Sequence, residues 1–152
     1  MKKGVIVALA VVAFVFATSL VVKAATPDDA KAMVEKAYSY YKANGKEKAF
    51  SEISNPQGQF VKGDLYVFVQ DFTGVNLAHG GNPKFVGLNH SGLKDPDGVY
   101  FIKEMAEVAK GKGSGWVDYK WVNPTTKKLQ TKATYVKRIE GSDSYMACGV
   151  YK

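Results

Sequence analysis

The sequence predicts an α+β domain in which two helices pack against a five-stranded antiparallel sheet. Three observations predict this class: an amphipathic helix at the start, a strand pair followed by a long polar loop, and a second helix followed by three strands. The chain has 152 residues, which is room for one such domain with a core of its own and too little for two.

The first 24 residues have the pattern of a targeting segment. Lys2 and Lys3 precede an apolar run over 4–22, and Val22-Lys23-Ala24 suits a signal peptidase. The run is also long enough to span a bilayer. We therefore expect residues 1–24 to be a cleaved signal peptide or a retained N-terminal membrane anchor. In both cases residues 25–152 form a single domain outside the cytoplasm, periplasmic or secreted.

A long N-terminal helix is predicted after this segment, capped by Asp28 or Asp29. Asn44-Gly45 offers a left-handed stop, after which the chain can resume helically to Phe50. Apolar residues recur at the spacing of one helical face: Ala30, Met33, Val34, Ala37, Tyr38 and Tyr41.

The segment 64–71 is rich in β-branched and aromatic residues and is predicted to be a strand. A short turn over 71–74 and a second, shorter strand over 75–79 then complete a hairpin. The segment 80–98 is a long polar loop, and loops of this length in small domains are usually functional. Asp95 is predicted to cap a helix that starts at Pro96 and ends at Gly111. Strands over 115–122, 129–139 and 145–151 complete the sheet.

Composition argues against several functional classes. Three of the lysines behind the net charge of +7 lie in the first 24 residues, so the remaining domain is only mildly basic. Arg138 is the one arginine, whereas nucleic-acid recognition favours clustered arginines and lysines, so nucleic-acid binding is not expected. Cys148 is the one cysteine and lies in an apolar run, which predicts a buried, inert thiol. No zinc, haem or nucleophile motif is present, so we expect no metal, no cofactor and no enzymatic activity.

The candidate site residues lie on the predicted strands. Tyr119 and Trp121 share one face of their strand, either as plain core or as the wall of a small pocket. Lys132 lies mid-strand, where it is either a solvated lysine or, beside a cavity, a partner for a carboxylate. His79 ends its strand where the long loop begins and is either structural or a ligand contact.

The sequence resembles the single Cache extracytoplasmic sensor family in its second subtype. The motifs that carry the resemblance run over nearly the whole mature chain: Tyr66–Asp71, Gly74, Leu77–His79, Asn82-Pro83, Val86-Gly87, Asn89, Asp97-Gly98, Phe101-Ile102, Gly113–Tyr119, Trp121, Asn123-Pro124, Lys132, Tyr135–Lys137 and Cys148–Tyr151. The sequence departs from the family pattern after His79, where Gly80-Gly81 replaces the usual proline.

The resemblance implies a PAS-like fold with a loop–helix crossing, and a ligand-binding site between the sheet and that crossing. It places the ligand contacts at His79, Tyr119, Trp121, Lys132 and Tyr135. Tyr119 and Tyr135 occupy positions that alternate with that of Lys132, so the three side chains are not all expected to face the site. Part of the candidate list is therefore expected in the core. The ligand expected from the resemblance and from these donors is a short carboxylate such as acetate or pyruvate.

The resemblance also implies signal transduction or chemotaxis through a separate membrane receptor or kinase partner, since no transmitter segment follows Lys152. A homodimer through the N-terminal helix is a further expectation. The alternative left open by the residues is a structural or interaction protein whose pocket is filled by its own side chains.

Overall fold

The computed structural model describes residues 24–152, which form three α-helices, a short 3₁₀ helix and six strands. The predicted targeting segment lies outside the described residues, apart from Ala24. In chain order the elements are α1 (Pro27–Asn44), α2 (Lys46–Ile53), β1 (Val61–Lys62), β2 (Leu65–Asp71), β3 (Asn76–His79), the 3₁₀ helix (Pro83–Phe85), α3 (Phe101–Lys112), β4 (Ser114–Val122), β5 (Leu129–Arg138) and β6 (Ser144–Tyr151).

The sheet is antiparallel throughout and runs in the order β1-β2-β6-β5-β4, with β3 also paired to β2. The α+β class and the five predicted strands are confirmed, and the two-residue β1 is an addition. β6 lies at the centre, and its residues Ser144–Val150 are all buried. A strand covered on both faces reads as a continuous apolar run, as 145–151 does.

One face of the sheet is covered by α1 and α2. Ala30, Val34 and Ala37 are buried against β2, β5 and β6, which confirms the predicted amphipathic face of the first helix. The predicted aspartate cap is wrong, because Thr26 is the N-cap residue. Its hydroxyl accepts the backbone N–H of Asp29, and the Asp29 carboxylate accepts the backbone N–H of Thr26.

The opposite face of the sheet is covered by α3 and the loop over 80–98. Phe101, Ile102 and Met105 are buried against β2, β4 and β6 on this side. The prediction that this helix starts at Pro96 is wrong, since it begins at Phe101. Asp95 accepts the backbone N–H groups of Asp97 and Val99, which closes a turn there and leaves no helical path from Pro96.

Cys148 is fully buried on the α1 face, where its thiol lies 3.9 Å from the sulfur of Met33. Burial raises the pKa of the thiol to about 12, so it stays protonated at neutral pH. No helix among residues 24–152 combines the length and the apolar composition that a bilayer crossing requires.

We predict that Asp95→Ala loosens the loop at its junction with the sheet. Besides closing the turn, the Asp95 carboxylate accepts the backbone N–H of Lys120 in β4 at 3.0 Å. These three bonds hold the pKa of Asp95 below its usual value, the Lys120 bond most. Hydrogen exchange of the Val99 and Lys120 amides should accelerate in the variant.

The control for this variant is Asp97→Ala, which removes an exposed ion pair with the Lys120 ammonium and leaves the Asp95 bonds in place. Exposed pairs contribute little to stability, so exchange at Val99 and Lys120 should be unchanged. Equal acceleration in both variants would show that Asp95 is not the anchor of the loop.

Candidate functional site

A small cavity lies between the sheet and the loop–helix segment. Its volume is about 30 Å³, which is enough to hold an ordered water molecule. The cavity is mainly aromatic, with polar groups from β2, β3, β4 and the loop. Its lining residues are Tyr66, Phe68, Gln70, Asn76, His79, Phe85, His90, Leu93, Phe101, Ile102, Tyr119 and Trp121.

A wider groove of about 250 Å³ shares four wall residues with this inner cavity. The shared residues are Tyr66, His79, Phe85 and Trp121. The remaining walls of this outer groove come from the start of the loop and from the turn between β4 and β5, through Gly81, Asn82, Val122, Pro124 and Lys127.

His79 ends β3 and is buried between aromatic rings. Its ring stacks on Phe68 at 5.6 Å and meets the edge of Phe85 at 5.1 Å. Burial first, and then the positive charges of Lys132 and His90, lower the pKa of His79 to about 3. The ring is therefore neutral. Because its Nδ1 accepts the backbone N–H of Asn82 at 2.9 Å, the proton lies on Nε2, which is a free donor.

Tyr119 and Trp121 lie on the same face of β4, as the alternation predicted, and both line the inner cavity. Tyr119 stacks on Phe101 with ring centroids 4.3 Å apart, and Trp121 meets the same ring edge-on at 5.3 Å. The Tyr119 hydroxyl accepts the Thr134 hydroxyl at 3.2 Å, so its own proton remains available. Burial raises the pKa of Tyr119 to about 12, which keeps it a neutral donor.

Lys132 is fully buried, so the interpretation as a solvated surface lysine is wrong. Its ammonium donates to the Tyr66 hydroxyl at 2.8 Å and lies 4.0 Å from the centroid of the Tyr66 ring. The Tyr151 ring lies at 4.9 Å on another side. Lys132 does not line the cavity itself, but its charge lies directly behind Tyr66, which does.

Gly149 makes room for this lysine in the middle of β6. A Cβ atom there would lie 2.6 Å from the Lys132 Cε and 2.3 Å from the Thr134 Oγ1. Glycine usually weakens a strand interior, and a close approach by another group is one reason for its presence. Here the approaching groups are the lysine stem and the threonine that holds Tyr119.

Sheet register decides which predicted residues meet. Tyr119 pairs directly with Lys132 across β4 and β5, so the two side chains share a face despite their different parity in sequence. Tyr135 follows Lys132 by an odd number of residues on the same strand and lies on the opposite face, packed against Trp116 at 5.3 Å. Of the predicted set, His79, Tyr119 and Trp121 line the cavity, Lys132 lies behind its wall, and Tyr135 is away from it.

Sequence reasoning missed the polar chain along the cavity wall. The Tyr145 hydroxyl donates to the Gln70 side chain, whose amide donates to Asn76 at 3.1 Å. Asn76 in turn lies 2.8 Å from Nδ1 of His90. The alternation of Tyr66, Phe68 and Gln70 along β2 is a signal that could have placed them on one face. Nothing in the sequence marks His90, because the loop fold brings it there.

The arrangement can hold an anion. Its available donors are the Nε2–H of His79 and the hydroxyls of Tyr66 and Tyr119, and burial raises the pKa of Tyr66 to about 12. No Asp or Glu of the described residues lines either the cavity or the groove. Within residues 24–152 no group of three or more histidine, cysteine or acidic side chains has the geometry of a metal site.

Comparison with protein families gives a match over the whole described part of the chain. The family described as Single Cache domain 2 matches residues 24–152. Among curated proteins, the sensor histidine kinase MctS of Rhizobium johnstonii is 35% identical over 88 residues, which are 58% of this chain and 19% of the kinase. The methyl-accepting chemotaxis protein McpP of Pseudomonas putida is 28% identical over 88 residues, which are 58% of this chain and 16% of that receptor.

Solved structures show the same fold. A methyl-accepting chemotaxis protein from Vibrio parahaemolyticus has a TM-score of 0.69 and 24% identity, with 82% of this chain and 86% of that chain covered. A second structure, described as the structural basis for carboxylic acid recognition by a Cache chemosensory domain, has a TM-score of 0.68 and 28% identity. Its comparison covers 82% of this chain and 91% of that one.

The aligned region spans less than a fifth of each curated relative, so the likeness concerns one domain of those proteins. That domain is an extracytoplasmic, sensory, ligand-binding module of chemotaxis receptors and sensor kinases. The family match over residues 24–152, together with the shared fold, shows that this chain belongs to the Single Cache domain 2 family.

Proposed function

We propose that this chain binds a short carboxylate between its sheet and its loop–helix segment. We further propose that ligand binding there is signalled to a separate partner protein. The observation that carries the proposal is the buried ammonium of Lys132. Among the residues that the structure describes, no acidic side chain pairs with it, and its hydrogen-bond partners are the hydroxyls of Tyr66 and Tyr151. The domain described as recognising carboxylic acids, at 28% identity, supports the same class of ligand.

A buried ammonium without a counter-charge is costly, because water no longer solvates it and the penalty is several kcal/mol per ion. The rings of Tyr66 and Tyr151 offset part of this cost through their electron-rich faces. An anion would offset more of it. Since a ligand that binds the folded form alone stabilises it by mass action, the charge of Lys132 couples ligand affinity to folding stability.

The donors around the cavity suit a carboxylate in particular. The Tyr66 hydroxyl accepts from Lys132 and can donate its own proton to one carboxylate oxygen. The Nε2–H of His79 and the Tyr119 hydroxyl can donate to the same or the other oxygen. A donor that itself accepts from a cation is polarised, and bonds of this kind to an anion are stronger than neutral ones.

A second candidate function is that of a structural or interaction protein with a filled site. The observation in its favour is the small volume of the inner cavity, about 30 Å³ against about 250 Å³ in the outer groove. Ligand entry then requires side chains such as Phe85 and Trp121 to move aside, with the outer groove as the approach.

The signalling route and the assembly stay predictions. A membrane receptor or kinase partner fits the sensor proteins whose domains this chain matches. A homodimer through α1 would use the face of that helix turned away from Ala30, Val34 and Ala37. We also propose that residues 25–152 are the mature domain and that the protein is periplasmic or secreted.

We predict that short carboxylates raise the melting temperature of the wild-type protein, whereas amines and neutral amides of similar size do not. In Lys132→Met the carboxylate effect should be lost, at a cost of about 2–5 kcal/mol in binding free energy. The variant without ligand should be as stable as the wild type or more stable, because an unpaired buried charge is replaced by an apolar side chain of similar length.

The matched control is Lys128→Met, an exposed lysine next to the same strand, which should keep the wild-type response. A shift caused by amines rather than carboxylates would overturn the anion proposal. A carboxylate shift that survives Lys132→Met would place the charge partner elsewhere, and no shift with any compound would favour the filled-site candidate.

We predict that Gly149→Ala abolishes carboxylate binding. The added Cβ would displace both the Lys132 stem and the Thr134 hydroxyl, and so disturb the ammonium and Tyr119 together. Such overpacking typically costs about 1–3 kcal/mol of stability. Ala147→Gly, two residues earlier on the same face of β6, tests whether a change of backbone propensity alone affects binding. Unchanged carboxylate affinity in Gly149→Ala would contradict the proposed role of Lys132.

We predict that His79 makes the fold sensitive to mild acid. In the unfolded chain the histidine takes up a proton below pH 6.5, whereas the pKa of about 3 keeps it neutral in the folded protein. Stability is therefore full above pH 6.5 and falls as pH drops toward 3, by about 1.4 kcal/mol per pH unit. Urea unfolding should show a loss of about 2 kcal/mol between pH 7.5 and pH 5.

His79→Gln should remove this part of the pH dependence, because glutamine has no proton to gain and can still place an amide donor near the position of Nε2. The difference in unfolding free energy between pH 7.5 and pH 5 should then be smaller in the variant than in the wild type. Equal pH dependence in the two proteins would show that the His79 ring is not held neutral by burial.

A further inference from the structure

The outer groove is a continuation of the proposed ligand site rather than a separate depression. Its inner wall is formed by the same side chains that close the inner cavity: Tyr66, His79, Phe85 and Trp121. One further wall is the loop at Gly81 and Asn82, and the other is the turn between β4 and β5 at Pro124 and Lys127.

The loop wall of the groove depends on Gly81, whose backbone lies in close contact with the Tyr66 ring. A Cβ atom on Gly81 would lie 2.9 Å from three atoms of the Tyr66 ring. Any side chain at this position would therefore displace the Tyr66 ring or push the loop away from the sheet. Glycine here leaves the groove open beside the Tyr66 ring.

The opposite wall carries a lysine in an unfavourable backbone conformation. Lys127 has a φ of 61°, and it is the one residue other than glycine with a positive φ among residues 24–152. Left-handed geometry is costly for a side chain with a Cβ, and glycine or asparagine usually occupies such a position. The side chain of Asn123 fixes the turn by accepting the backbone N–H groups of Thr125 and Thr126.

The charges along the groove have one sign. Lys127 lines it directly, and Lys132 lies behind Tyr66 at its inner wall. Lys127 makes no ion pair within the described part of the chain. The acid nearest this turn in the hydrogen-bond network, Asp64, accepts the side-chain amide of Asn123 at 3.2 Å and does not line the groove.

The groove is also large enough for more than a carboxylate group. Its volume of about 250 Å³ is much larger than the 30 Å³ of the inner cavity. A ligand that reaches Tyr66 and His79 from solvent therefore has most of the available room in the outer groove, which Lys127 lines.

We propose that the outer groove is a second anion subsite with Lys127 as its charge partner, so that the ligand carries two anionic groups, as a short dicarboxylate does. This inference rests on the proposed function. One carboxylate takes the donors of Tyr66 and His79 next to Lys132, and the second lies against Lys127. The Lys127 contact is exposed and adds selectivity between ligands more than affinity.

Isothermal titration of the purified protein with succinate and with butyrate tests the proposal, since both have four carbons and differ in the second carboxylate. The wild type should bind succinate more tightly. Lys127→Asn should reduce this preference by up to about fivefold, which is the upper end for an exposed ion pair, because asparagine keeps the left-handed turn and removes the charge. Lys127→Arg and the neighbouring Lys128→Asn should both keep the preference.

Equal or tighter binding of butyrate by the wild type would overturn the second subsite, as would a preference that Lys127→Asn leaves unchanged. If butyrate binds and its binding depends on Lys132, the proposed carboxylate function stands while the dicarboxylate inference falls. If neither acid binds, both fall. Raising the salt concentration should weaken the succinate preference, because ions screen an exposed pair more than a buried one.

Discussion

The ammonium of Lys132 lies in the interior with no acidic side chain of the described residues against it, and the elements around it are arranged to tolerate that charge. β6 supplies Gly149, whose missing side chain leaves a passage for the lysine stem. β2 supplies the Tyr66 hydroxyl and ring, and the loop supplies Gly81, which lets Tyr66 stay where it is. The identities of these three residues, which are far apart in the sequence, thus depend on one charge. A buried cation is stable only where protein groups replace the water that would otherwise solvate it.

Much of the fold could be predicted because its signals are local. The helical repeat of α1 and the composition of β2, β5 and β6 depend on neighbouring residues, and the structure confirms them. The start of α3 could not be predicted, because Asp95 has the same chemistry as a helix cap and as a turn residue. Asp95 takes the turn role here because its carboxylate also accepts the backbone N–H of Lys120. That contact exists only in the folded domain.

The candidate site was harder to predict, because a cavity depends on register between strands. Parity along one strand separates Lys132 from Tyr135 correctly, but parity carries no information across two strands. Tyr119 is on the alternate set from Lys132 in sequence and is nonetheless its direct partner in the sheet. His90 reaches the cavity through the path of the loop, and no periodic pattern in the sequence records that path.

The same strands carry the proposed site on one face and the packing surface of α1 on the other. On β5, Lys132 lies beside the cavity wall while the adjacent Ala133 is in the core beneath α1. On β6, Tyr151 contacts the lysine while Val150 packs beneath the helix. Because packed interiors transmit displacement rather than absorb it, a shift of β5 or β6 caused by the proposed ligand would move the surface that supports α1. A sensory domain needs such a connection, and here it follows from the alternation of side chains along two buried strands.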